Sequence, residues 1–207
     1  MTLNKLSPSK HKKGRWLLHL ENGDLLRVTE REVADFSLYS GMELGEETLK
    51  RLKAAAERSK MRDTALNLLS LRPLSRKELE RKLMERDTPE EEAAEIADWL
   101  TGLGLLNDGE YARQLARHYS EKGYGPRKIQ DELYRRGVPR EYWAEAMEER
   151  DDPAEAIDAF LAKRLGDDRN PDRKMLKKVS DALARRGFRW QDINDGLRRR
   201  QVDIFDD

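Results

Sequence analysis

A chain of 207 residues with 41 basic side chains against 41 acidic ones has no net charge, so any electrostatic argument about partners has to be local. Charged residues make up 40% and hydrophobic ones 37%, a balance that argues against one thick globule and for several small cores shared among long amphipathic elements. The absence of cysteine excludes a disulfide framework and any thiolate nucleophile or metal ligand, and it suits a reducing compartment.

At the N-terminus the apolar run is too short and too interrupted for a signal or spanning segment, so a soluble cytoplasmic protein without membrane attachment is expected. Residues 1–13, with Ser7-Pro8-Ser9 followed by Lys10, His11, Lys12 and Lys13, bury little and read as a mobile basic tail. The next segment, 14–58, contains Asn22-Gly23 between two apolar runs. That dipeptide tolerates the positive φ angles of a two-residue turn, so a small β-hairpin over Arg15–Val28 is expected. A short helix from Glu30 to Tyr39 and a long one starting near Glu46 follow it.

From there the pattern is helical almost throughout. Ser75 with Glu78 and Thr88 with Glu91 have capping-box spacing, and Pro89, Pro126, Pro139 and Pro153 sit where first helical residues would. Residues fifty positions apart match in character: Leu79, Ile129 and Val179; Leu83, Leu133 and Leu183; Arg86, Arg136 and Arg186, the last two followed by Gly137 and Gly187. A mainly α protein is therefore expected, with three tandem three-helix modules of about 50 residues in an elongated arrangement behind the small N-terminal β-hairpin plus helix. The modules span 59–107, 108–150 and 151–207.

Catalytic groups do not converge in this sequence. His11, His19 and His118 are scattered, with no second ligand at metal spacing, and "GYGP" lacks the Gly-Lys-Ser/Thr ending of a phosphate loop. No catalytic residue, metal or cofactor is expected. The acidic run Glu90, Glu91, Glu92, Glu95 and Asp98 suits a solvated first helical turn.

Charge segregation says more than charge total. Between Arg173 and Arg189 stand seven basic residues against the single acid Asp181, and the equivalent stretch of the second module carries Arg127, Lys128, Arg135 and Arg136 against Asp131 and Glu132. On the later helix Leu176, Val179 and Leu183 would share the buried face, turning Lys174, Lys177, Lys178 and Arg185 to water. With Arg186, these residues form the candidate partner- or DNA-binding set. A solvated face is the competing interpretation, as is a stand-alone DNA-binding protein of helix-turn-helix-like modules.

"LSRKELERKL" (Leu74–Leu83), "LGLLNDGEYA" (Leu103–Ala112) and "KGYGPRKIQDELYRRGV" (Lys122–Val138) resemble the RecX family, regulatory proteins of the bacterial recombinase RecA. The combination Asp108, Tyr111, Ala112, Gly123, Gly125, Pro126, Ile129, Leu133 and Gly137 carries the resemblance as a structural motif. It implies tandem three-helix modules without catalysis, docking along the groove of the RecA–DNA filament. It also implies inhibition of recombinase, ATPase and co-protease activities, and hence modulation of recombination, DNA repair and the SOS response. Single- and double-stranded DNA are implied as weaker partners alone, with a monomeric regulator. Two departures stand out: Asp87 where such proteins often carry glycine, and Tyr119 where they often carry arginine, so that Arg117 or Lys122 would supply the basic contact.

Overall fold

Asn22 Oδ1 accepts from the Asp24 amide and Gly23 takes φ 86°, which turns the chain back and joins two antiparallel strands. These are β2 (Arg15–Leu20) and β3 (Leu25–Thr29), with Trp16 opposite Val28 and Leu18 opposite Leu26. The computed structural model describes residues 1–166, 168 and 171–200.

The expected mobile tail is corrected by a third strand. Leu3–Pro8 forms β1, antiparallel to β2, with Leu6 opposite Leu18 and Pro8 opposite Trp16. An edge strand needs apolar side chains on one face alone, and Leu3 (fully buried) with Leu6 supplies them despite the polar composition around them. Lys12, part of that supposed tail, is bonded to Asp63. The sheet order is β1-β2-β3.

Helix α1 (Glu30–Asp35) starts at a capping box between Thr29 and Glu32 and stops short of the expected Tyr39, with Ser37 in the left-handed region at φ 50°. Helix α2 (Glu46–Leu71) then runs 26 residues unbroken, so the expected module boundary at residue 59 falls inside it. No glycine or proline interrupts this stretch, and nothing else in it would end a helix.

Helix α3 (Arg76–Met84) begins at the expected box, with the Glu78 amide donating to Ser75 Oγ at 3.0 Å. Asp87 follows at φ 63°. Helix α4 (Glu90–Gly102) starts one residue later than expected: Pro89 precedes its first residue instead of being it, and the Pro89 carbonyl accepts from the Ala93 amide, so Thr88 stands one position outside the expected cap. Then come α5 (Asp108–Glu121), α6 (Pro126–Arg135), a 3-10 turn Arg140–Tyr142 and α7 (Trp143–Glu148). The last three are α8 (Pro153–Leu165), α9 (Arg173–Arg185) and α10 (Trp190–Arg199). Pro126 and Pro153 are first helical residues, while Pro139 only precedes the 3-10 turn.

Two compact units result: Met1–Arg72 with Glu80–Trp99, and Pro73–Leu79 with the chain from Leu100 on. In the first, Leu18, Leu20 and Val28 of the sheet pack with Leu52 and Ala56 of α2. In the second, Tyr111, Leu115, Ile129, Leu133 and Val138 make one core, and Ile157, Leu161, Val179, Leu183, Phe188 and Ile193 make another. Ile129 and Val179, and likewise Leu133 and Leu183, are buried at equivalent positions, as a repeat built on one set of internal contacts requires.

Candidate functional site

The basic second helices of modules 2 and 3 are joined end to end. At its N-terminus α6 has amides without intrahelical partners, and at its C-terminus α9 has carbonyls without them. Here each set serves the other: the Gly125 amide donates to the Arg186 carbonyl at 2.8 Å, and the Arg127 amide to the Gly187 carbonyl at 3.1 Å. The positive end of one helix dipole meets the negative end of the next.

One repeat earlier the same joint recurs. Ser75 Oγ donates to the Arg136 carbonyl, fifty residues before the Gly125–Arg186 pair at both ends. Asp108 secures it from the side by accepting from the Arg76 amide at 2.8 Å. Gly137 and Gly187, at φ 69° and 90°, close α6 and α9 as C′ residues and admit Lys77 and Lys128 respectively against their bare backbones.

This arrangement sorts the basic residues expected to meet a partner. Lys174, Lys177, Lys178 and Arg185 are exposed along α9, with Val179 and Leu183 buried and Leu176 half-buried on the opposite side. Arg127 and the side chain of Lys122 are exposed as well, and none of these six side chains has a partner among the described residues. Lys128 and Arg135 instead flank Glu132 at 3.2 and 2.5 Å, and Arg117 pairs with Glu149 at 3.0 Å.

Arg136 and Arg186 are engaged by groups within the protein. Arg136 donates to the Tyr111 hydroxyl at 2.8 Å, and it lies 3.5 Å from Glu78 and 3.7 Å from Glu132. Arg186 donates to the Gly123 carbonyl at 3.0 Å and stacks over Tyr124 and Phe160, tying module 3 to the turn before α6. Their guanidinium groups are used in holding modules together, since a planar fork with five donors suits a crowded joint as well as it suits a phosphate.

The partners of these arginines were missed in the sequence. Glu78 is buried and accepts from the Tyr111 hydroxyl at 2.9 Å. Burial first, and the Glu78 carboxylate second, raise the Tyr111 pKa against the opposing pull of Arg136. Glu132 is only 3% exposed. Burial pushes its carboxyl up, but hydrogen bonds from Arg135, Lys128 and Tyr119 outweigh that and hold it below the usual range. The i, i+3 and i, i+4 spacing of Glu132 to its cations was the available signal. Of the remaining motif residues, Ala112, Ile129 and Leu133 are fully buried, Gly123 takes φ 71°, and Pro126 is the first residue of α6.

Among the described residues no group of three or more His, Asp or Glu side chains could hold a metal ion, and no helix is long and apolar enough to cross a membrane.

Three families match successive stretches: "RecX, first three-helix domain" over residues 62–100, "RecX, second three-helix domain" over 107–147 and "RecX, third three-helix domain" over 151–197. Among named relatives, "Regulatory protein RecX" of Pseudomonas entomophila is 33% identical over 147 residues, 70% of this chain and 94% of the relative. The Levilactobacillus brevis protein of the same name is 30% identical over 186 residues, 87% of this chain and 69% of the relative. A crystal structure of regulatory protein RecX superposes with a TM-score of 0.70 at 27% identity, covering 94% of this chain and 98% of that one. A crystal structure of RecX from Lactobacillus salivarius gives 0.61 at 28% identity, covering 70% and 97%. Shared modules, shared fold and identity spread over most of the chain lead to one conclusion: this chain belongs to the RecX family of regulatory proteins.

Proposed function

We propose that this protein is a non-catalytic cytoplasmic regulator of RecA that binds the RecA–DNA filament as a monomer and inhibits its recombinase, ATPase and co-protease activities. Recombination, DNA repair and the SOS response would be modulated as a result. Family membership supports the role, and the end-to-end joining of α6 and α9 is the single observation that supports the surface. Helices joined at their ends by backbone hydrogen bonds hold Arg127 and the α9 cations at set spacings, which suits a long periodic target. Point charges at fixed intervals steer encounter and fix register.

The test compares affinity for the assembled filament with affinity for naked DNA at about 0.15 M salt. Strong preference for the filament is expected. Binding driven by phosphates alone would fall steeply with salt and favour neither target. Equal affinities would instead point to a stand-alone DNA-binding protein.

A further inference from the structure

The three family domains lie within residues 62–197, and the sheet β1–β3 precedes all of them. Its sheet has two edges, and they are treated differently. Along β1, the Leu3 amide donates to the Met42 carbonyl at 2.9 Å, Gly41 donates back to Leu3 at 2.7 Å, and Leu6 donates to Ser40 Oγ at 2.9 Å. The outer edge of β3 has no backbone partner over Leu25–Val28 among the described residues.

Beside that open edge lies a groove of about 870 Å³ between β3 and one face of α2. Five cations line it (Lys12, Arg15, Arg27, Lys53 and Lys60) against two carboxylates, Glu57 and Asp63. Lys12 and Arg15 are paired with Asp63, Lys60 with Glu57, and Lys53 lies 3.6 Å from Asp24. Arg27 is exposed on the edge strand with no side-chain partner among the described residues. The floor is apolar: Leu17, Leu25 and Leu26 line it, and Leu25 is 46% exposed.

We propose that this groove takes an extended acidic peptide segment of a partner protein, added to β3 as a fourth strand. Unpaired main-chain groups supply the hydrogen bonds of strand addition. Side chains alternate along an added strand, so with its carboxylates on the sheet face that carries Arg27, near Lys53 and Lys60, its apolar residues fall on the opposite face beside Leu26. A single-stranded nucleic acid fits less well, because phosphates have no use for a strand edge and no Phe, Tyr or Trp lines the groove for base stacking.

The full chain would be titrated with a fluorescein-labelled peptide of alternating Glu and Val, followed by anisotropy and by amide shifts of Leu25–Thr29. Binding is expected at those amides, with about tenfold or greater loss in the Arg27→Glu/Lys53→Glu variant and with a peptide N-methylated at alternate residues. Far-ultraviolet dichroism of the variant controls for folding. No binding, equal binding of the Lys–Val counterpart, indifference to N-methylation, or tighter binding of oligodeoxythymidylate at the same amides would each overturn the proposal. Charge reversal on α9 should leave this binding unchanged, so failure here is separable from failure of the filament surface.

Discussion

Gly125 and Gly187 meet backbone to backbone. A Cβ on Gly125 would stand 2.5 Å from the Gly187 carbonyl, and one on Gly187 would stand 2.4 Å from the Lys128 amide nitrogen. Neither neighbour is a flexible side-chain end that could swing aside. Gly187 also sits at φ 90°, where a side chain adds about 1–2 kcal/mol of strain. Gly125→Ala and Gly187→Ala are both expected to open the joint between modules 2 and 3, Gly187→Ala more so. Calorimetry should show a lower midpoint or a separate early transition. An unchanged single transition would contradict the close packing.

The Tyr111 hydroxyl bridges Glu78 and Arg136, and its raised pKa has a consequence at alkaline pH. In the unfolded chain a tyrosine titrates near 10. The stability contributed by the neutral hydroxyl is thus complete below about pH 10, and it is lost as pH rises from there through the folded value. Tyr111→Phe should cost about 1–3 kcal/mol by leaving buried Glu78 without that donor, and it should remove part of the alkaline loss. Denaturant unfolding of both proteins across alkaline pH measures this.

On the acid side the sign reverses. Glu132 has a lowered pKa, so its contribution is present above the unfolded carboxylate value of about 4.3. It is lost as pH falls through the folded value. Replacing Lys128 and Arg135 together with glutamate would surround this buried carboxylate with like charge. A clear loss of stability is expected, limited by solvent screening of the exposed Arg135. Unfolding curves should show it near neutral pH, and an unchanged midpoint would argue against the ion cluster.

The exposed set makes the cleaner functional test. Arg127→Glu, and separately Lys174, Lys177, Lys178 and Arg185 all to glutamate, should abolish the proposed inhibition of the DNA-dependent ATPase of RecA with helicity intact. Each exposed charge is worth within about 0.5 kcal/mol to folding. Leu133→Ala, which empties part of a core at about 2–5 kcal/mol, shows what loss through instability looks like. Inhibition by the glutamate variants at wild-type concentrations would mean that α6 and α9 expose only a solvated face.

Asp87 occupies the position fifty residues before Gly137 and holds φ 63° without glycine's freedom. Asp87→Gly should relieve that strain and raise stability by up to about 1 kcal/mol, a gain limited by glycine's greater unfolded-state entropy. The thermal midpoint is the measurement, and a decrease would mean that the Asp87 side chain holds the turn.

Periodicity, caps and turns were legible in the sequence because they are local. Leu133 and Leu183 repeat a buried stripe, Ser75 and Glu78 cap each other three residues apart, and Gly137 and Gly187 end helices that any chain of this pattern would end there. Strand β1 was not legible, since Leu3 and Leu6 make a strand only once β2 is beside them to receive it. Nor was the run of α2 through residue 59, where internal repetition suggested a boundary that no residue enforces. Above all, chemically identical arginines were sorted by contacts distant in the sequence: Arg136 to Glu78 and Tyr111, Arg186 to Gly123, and Arg127 to solvent. A guanidinium has the same donors in every setting, so only the tertiary packing that brings an acceptor to it, or withholds one, decides whether it holds the fold together or remains free to meet a partner.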